Sequence, residues 1–153
     1  MSHFSPEGSI HMVDVSAKAV TERSAKAEAI VRMSAQARDA LRGATLKKGD
    51  ALAAAQIAGI AAAKQTGTLI PLAHTLPLSS VSVAFEWRDE GLRIETEAKT
   101  AAQTGVEMEA LVAAAVAALT IYDMIKGIDR AIVVERVTLL EKRGGKSGEW
   151  RKP

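Results

Sequence analysis

Residues Ala110 to Tyr122 carry no charge over 13 consecutive positions, and they follow Thr104-Gly105-Val106-Glu107. A Thr and a Glu three apart read as a capping box. A long helix is expected from there to about Lys126, closed by Gly127. Thirteen uncharged residues fall short of the ~20 that a membrane span needs. Such a helix has to bury its apolar surface within the protein. Its alanines, part of 29 in the chain, permit close approach to a sheet or to another subunit.

The remaining segments supply that sheet. Ala25, Ala27, Ala29, Val31 and Met33 alternate with Lys26, Glu28, Ile30 and Arg32, a period of two that predicts a strand despite the helix preference of Ala. Ser34 is placed to cap a short helix through Leu41, closed by Gly43. Asp50 caps a second helix over 51–65, ended by Gly67 and, further on, Pro71. Val81, Val83, Phe85 and Trp87 alternate with Ser82, Ala84 and Glu86. After the turn Asp89-Glu90-Gly91, Leu92, Ile94, Thr96 and Ala98 alternate with Arg93, Glu95 and Glu97, which completes a hairpin. Residues 131–140 are rich in β-branched and apolar residues, a final strand. This order predicts an α+β, ferredoxin-like sandwich: an antiparallel sheet with helices on one face. The 153 residues form a single expected domain, with flexible ends at about 1–10 and 143–153.

Composition removes several classes of function. There is no Cys, so disulfides, thiolate metal sites and a Cys nucleophile are excluded. Three His, at positions 3, 11 and 74, do not make a multi-His metal site. Aromatic residues are 3% of the chain and the net charge is +2. Neither fits base stacking on exposed rings or a duplex-DNA surface. Met1–Val20 contains Glu7, Asp14 and Lys18 and no apolar core, so no signal peptide is read there. The stretch 66–85 also lacks acidic and basic residues, but Gly67, Pro71, His74 and Pro77 interrupt it. The expected protein is cytoplasmic, with no membrane and no nucleic-acid partner.

Several loops hold groups able to do chemistry. Lys47-Lys48-Gly49-Asp50 brings two ammonium groups to a helix start, either as solvated lysines or as an anion contact or proton-transferring Lys. Ile70 to Pro77 is an apolar loop stiffened by two prolines, with His74 inside it. Glu107-Met108-Glu109 opens the long helix and Tyr122 to Lys126 closes it. Asp123 and Lys126, three apart, share a face. An Asp is unexpected at a helix C-terminus, where the dipole disfavours it. Gly144-Gly145-Lys146-Ser147 is similar to a Walker A ending, but position 140 is Leu140 and no helix can follow, so a P-loop is rejected. Lysines, a few carboxylates and one His suit acid–base work on a phosphorylated small molecule.

With these residues in place, the chain resembles the molybdenum cofactor biosynthesis protein C family, the cyclic pyranopterin monophosphate synthases. The matching stretches are His11 to Lys18, Lys48 to Asp50, Ile57 to Ala61, Leu69 to Leu72 with His74, Thr104 to Leu111, Ala118 to Met124 with Lys126, and Gly144 to Gly148. They extend over nearly the whole length. The resemblance implies a lyase of molybdenum cofactor biosynthesis that turns a cyclised GTP derivative into a cyclic pterin phosphate and releases pyrophosphate. It implies no metal and no organic cofactor, although some members are credited with a magnesium preference. It implies a homo-oligomer, a hexamer built as a trimer of dimers. Carried over position by position, Asp123 matches the catalytic acid/base, and Lys126 and Lys48 match proton-shuttling lysines. Leu72, Ala73 and His74 match the substrate-binding loop, and Met108 with Glu109 a second binding element. Glu107, Arg23, Lys142 and Lys146 match further charged pocket positions. Ala73 and Thr75 stand where the family pattern has Cys and Pro, so that Cys is not essential in an active protein of this sequence. A Lys serves as a base near neutral pH when burial or a second cation lowers its pKa, which Lys48 and Lys126 are expected to do to each other in one pocket.

Two rival readings accompany this one. A non-catalytic nucleotide- or RNA-binding module could use the same frame, but Phe85 and Trp87 fall on the apolar face rather than on an open one. An oligomeric scaffold held by its Ala-rich faces predicts that Asp123→Asn has no functional effect.

Overall fold

Ala25, Ala27, Ala29 and Val31 line one face of the first strand, β1 (Thr21–Arg32), each at most 1% exposed. The computed structural model describes residues 6–153. His3, and the first half of the N-terminal stretch expected to be flexible, lie outside the described residues. After β1 come α1 (Ala35–Arg42), α2 (Ala51–Lys64), the single turn α3 (Thr66–Leu69), β2 (Leu78–Arg88), β3 (Gly91–Ala102), α4 (Glu107–Ile125), β4 (Val133–Arg143) and β5 (Trp150–Arg151). The sheet order is β2-β3-β1-β4-β5, and every neighbouring pair is antiparallel. This is an open α+β sandwich in a split β-α-β arrangement. α4 lies across β1, β3 and β4, and α2 lies beside α4 and over β2.

The helix starts show which local signals operate. Ser34 caps α1, its side chain accepting from the Ala37 amide. Asp50 caps α2, accepting from the Leu52 and Ala53 amides. Both are the expected use of a short polar side chain at a helix start. The capping box expected of Thr104 and Glu107 does not form. Val106 is the N-cap of α4 and no side chain caps it. Glu107 is the first helical residue rather than the third, and its carboxylate turns instead to Lys142, at 3.0 Å.

Small residues set the spacing of the layers. Ala110, Ala113, Ala114, Ala117 and Ala118 of α4 are fully buried. The Thr96 hydroxyl donates from the sheet to the Ala110 carbonyl at 2.7 Å, a contact that requires the helix to sit very close. Gly59 lies where α2 crosses α4; a Cβ there would stand 3.0 Å from the Ala113 oxygen and from Val83 Cγ2. α4 reaches 19 residues and would qualify as a membrane span by length and apolarity alone. Half of it is buried inside the protein, as a core helix is. Phe85 and Trp87 pack against the core, and the Arg42 guanidinium covers the Trp87 ring at 5.4 Å. The opposite sheet face is ionic. Glu28, 7% exposed, accepts from Arg93 at 2.6 Å and pairs with Arg136 at 3.3 Å.

Beyond β4 the chain turns through Gly144 to Gly148 and returns as β5, which pairs Trp150 with Lys142 and Arg151 with Glu141. Sequence periodicity signals neither this two-residue strand nor the four-residue α3.

Candidate active site

α4 carries a chemical cluster at each end. At its N-terminal end, Glu107, Met108 and Glu109 meet the loop that holds Leu72, Ala73 and His74. Together with Val13, Val15 and Lys18 they line a cleft of about 390 Å³. The His74 ring approaches the Val13 carbonyl through Nε2 at 2.9 Å. A carbonyl only accepts, so Nε2 carries the proton and Nδ1 of the neutral ring is left as an acceptor. Glu109 is 3% exposed. Burial, with the Glu107 charge adding to it, raises its pKa above the ordinary carboxylate value. A carboxyl held this way keeps its proton to higher pH and is a candidate proton donor.

A second cleft of about 780 Å³ adjoins the first and shares Lys18, Thr104, Gly105 and Glu107 with it. Arg23, Lys142, Arg143 and Lys146 line it, with Glu107 its one carboxylate. The Arg23 guanidinium donates to the Ala102 and Gln103 carbonyls, at 3.0 and 3.2 Å, and so fixes the turn that leads into α4. Gly145, at φ +73°, packs over that guanidinium; a Cβ would stand 2.3 Å from Arg23 Nη1. The cleft is a strongly positive hollow suited to a polyanion.

At the C-terminal end of α4, Asp123 sits between two lysines. Lys126 Nζ lies 2.7 Å from Asp123 Oδ1. Lys48 Nζ donates to Oδ2 at 3.2 Å and to the Asp123 carbonyl at 2.8 Å. Hydrogen bonds from Lys126 and Lys48 hold the Asp123 pKa below its ordinary value. The same bond to Asp123 raises the pKa of Lys126. For Lys126 that reverses the expectation of a lowered pKa. The carboxylate between the two lysines decides the sign, because Lys126 touches an anion before it meets a second cation.

Thus one chain unites Leu72, Ala73, His74, Glu107, Met108 and Glu109 around one cleft. It places Arg23, Lys142 and Lys146 with Glu107 around the adjoining one. Asp123, Lys126 and Lys48 form a separate group. At about 1.5 Å per residue, the helix rises ~21 Å between Glu109 and Asp123. Thr75 is exposed, while Ala73 faces the cleft. Lys18 lines both clefts and was not among the expected site residues. It ends the matched stretch from His11, and the tertiary placement shows where its side chain lies.

The sequence profile of the MoaC family matches residues 12–145. The chain belongs to the MoaC family. Its relatives include a cyclic pyranopterin monophosphate synthase from Corynebacterium efficiens, 53% identical, over 98% of this chain and 97% of that protein. The synthase of Herpetosiphon aurantiacus is 52% identical, over 100% of this chain and 94% of its own length. That of Rhodopirellula baltica is 49% identical, over 99% and 93%. All the stretches that line the two clefts and the lysine–aspartate group fall within the matched MoaC region, apart from Lys146 and Ser147 just beyond it.

Proposed function

We propose that this MoaC chain is a cyclic pyranopterin monophosphate synthase, a lyase acting in molybdenum cofactor biosynthesis. Its substrate is a GTP whose ribose has already been joined to the imidazole carbon of guanine. The observation that carries this reading is identity of about half the residues, end to end, with proteins of that name. The arrangement of charge supports it. The positive cleft around Arg23, Lys142 and Lys146 suits the triphosphate, and the adjoining cleft around His74, Met108 and Glu109 suits the ring system.

The chemistry asks for proton transfers during ring rearrangement and for one phosphoryl transfer. A ribose hydroxyl attacks the inner phosphorus and loses its proton. The new P–O bond closes the cyclic phosphate. The bond to the bridging oxygen breaks, and its electron pair leaves with pyrophosphate. Cations near that oxygen stabilise the developing charge. Asp123, Lys126 and Lys48 are assigned the proton transfers, with Lys126 entering the cycle protonated, as an ordinary lysine would be and as the Asp123 contact reinforces.

The active protein is assigned as a homo-oligomer, a hexamer as a trimer of dimers, on a ferredoxin-like frame and in the cytoplasm. The separation of Asp123 from Glu109 along α4 supports a shared site. A two-fold partner with its α4 antiparallel would bring its Asp123 group beside the first chain's clefts. Exposed apolar residues on the outward sides of α4 and α2, Met108, Leu119 and Ile57, support an interface there. The reading is tested by incubating the purified protein with the product of the upstream radical reaction. Formation of the cyclic pterin phosphate with one equivalent of pyrophosphate is expected, and its absence refutes the assignment.

A further inference from the structure

We propose that Thr96 and Thr100 are positioning residues, two hydroxyls on one strand that hold the two walls of the smaller cleft at a fixed separation. That these walls bind the cyclised GTP rests on the synthase reading; the attachment of both walls to β3 does not. The buried face of β3 runs Leu92, Ile94, Thr96, Ala98, Thr100 and Ala102. Thr96 is 0% exposed and Thr100 2%. A buried hydroxyl is unfavourable unless it is hydrogen-bonded, and Val has nearly the same shape without that penalty. Each of these hydroxyls finds a carbonyl outside the strands that flank β3. Thr96 donates to the Ala110 carbonyl at 2.7 Å, in the first turn of α4 and next to Glu109. Its contact with the Ala27 carbonyl of β1 is longer, 3.4 Å. Thr100 donates to the Pro77 carbonyl at 2.8 Å. Pro77 ends the loop that carries His74, just before β2.

Those two carbonyls belong to opposite walls. Met108 and Glu109 line the cleft from α4, and Leu72, Ala73, His74 and Leu76 line it from the loop. Four residues of extended strand set the two anchors about 13 Å apart, and pairing with β1 and β2 on either side keeps that strand straight. A methyl group against a carbonyl oxygen needs about 3.3–3.6 Å, so a methyl in place of either hydroxyl pushes its wall outward by roughly 0.5 Å or more. Glu109 reports the first attachment. It is buried, and the titratable groups that line the cleft with it are Glu107 on its own helix, His74 on the loop and Lys18 on the arm. Water admitted at a displaced first turn relieves the burial that raises the Glu109 pKa.

The test is steady-state kinetics on the cyclised GTP, with thermal melts from pH 4 to 8, for Thr96→Val, Thr100→Val, Thr96→Ser, Thr100→Ser and Thr138→Val. Thr138 pairs with Glu28 on the ionic face of the sheet and lines neither cleft, so Thr138→Val makes the same change away from both walls. KM is expected to rise about fivefold or more in each of Thr96→Val and Thr100→Val, with kcat changing less. The two serine variants, which keep the hydroxyl, and Thr138→Val should stay within about twofold of the unaltered protein. Thr96→Val should also flatten the pH dependence of melting, because Glu109 then titrates nearer its ordinary value, while Thr100→Val should give a curve parallel to the parent. Lower melting with KM unchanged in both valine variants would overturn the proposal, since the hydroxyls would then only stabilise the fold. A KM effect in only one of them would overturn the paired role. Serine variants as impaired as the valines, or an equal effect in Thr138→Val, would overturn it too. Should a valine variant melt below the assay temperature, the alanine variant at that position, which removes the hydroxyl without crowding, decides by the same criteria. No conversion by the unaltered protein refutes the synthase reading, and the melts then decide alone: a flattened curve in Thr96→Val that Thr96→Ser restores upholds the attachment of α4, and parallel curves refute it.

Discussion

Lys48 and Asp123 meet across 75 residues of sequence, the ammonium donating to both the backbone carbonyl and the carboxylate of the aspartate. The contact ties the loop before α2 to the last turn of α4. It also gives Lys48 two acceptors that a solvated surface lysine would lack. Both partners are about half exposed, and exposed pairs contribute little to stability. Lys48→Ala and Lys126→Ala are therefore expected to fold normally, with unchanged circular dichroism and melting. Each should lose about a hundredfold or more in turnover, the usual worth of a positioned acid or base. The pH dependence follows from the signs. The contribution of Asp123, whose pKa is lowered, is complete above the ordinary carboxylate value and is lost as pH falls through the lower folded value. That of Lys126, whose pKa is raised, is complete below the ordinary lysine value of 10.5 and is lost as pH rises through the higher folded one. Between about pH 5 and 9, neither ionisation should produce a limb in the rate profile of the unaltered protein.

Glu109 titrates with the opposite sign from Asp123. Its folded pKa is raised, first by burial. The protonated form is the one the fold prefers, so stability is highest below the ordinary carboxylate value and declines as pH rises through the raised one. Glu109→Gln keeps the shape and removes the ionisation. Thermal melts from pH 4 to 8 should show a flatter curve for the variant, with a higher melting point than the parent at pH 8. A parallel pair of curves would place the carboxylate in water.

We propose that His74 binds substrate rather than shuttling the essential proton; its Nε2 already donates to the Val13 carbonyl. His74→Ala should raise KM and leave measurable turnover at saturation. An unchanged KM with no detectable turnover would instead give the ring a direct part in the chemistry. Restoring a cysteine, Ala73→Cys, should change little, because no proposed step uses a side chain at that position.

Co-expressing Glu109→Gln with Asp123→Asn tests whether sites form across a dimer interface. Each variant alone should be inactive. If each site draws Glu109 from one chain and Asp123 from the other, a mixed dimer has one doubly damaged site and one intact. Random pairing then restores about a quarter of the parent activity. Mixed assemblies that are confirmed by mass and stay inactive would place a complete site within each chain.

The strands were legible because β1 and the β2–β3 hairpin alternate with period two, and on β1 even the run of alanines did not hide it. The starts of α1 and α2 were legible because Ser34 and Asp50 cap within their own first turn. Thr104 and Glu107 show the limit of such local signals. The spacing fits a capping box, yet the Lys142 ammonium, brought in by a distant strand, takes the Glu107 carboxylate away from the backbone. The groupings at the ends of α4 were accessible through motif positions, but not which lysine touches which carboxylate. Lys126 lies one turn from Asp123, whereas Lys48 reaches it only through the tertiary fold. Lys18 lay in a matched stretch but was not singled out, because only the tertiary fold places it where the two clefts meet.

The alanine-lined contact between α4 and the sheet makes the tolerance of this core one-sided. An alanine has a single methyl group to lose, so truncation leaves almost no void. Enlargement at Ala110, Ala114 or Ala117 has no space to enter and forces the layers apart, at about 1–3 kcal/mol for each overpacked position. Because α4 carries a charged cluster at each end, a displaced helix also changes where both are presented. Random drift in this core is therefore expected to lower turnover while the chain still folds, because the small residues of the helix set how the clusters at its two ends are held against the sheet.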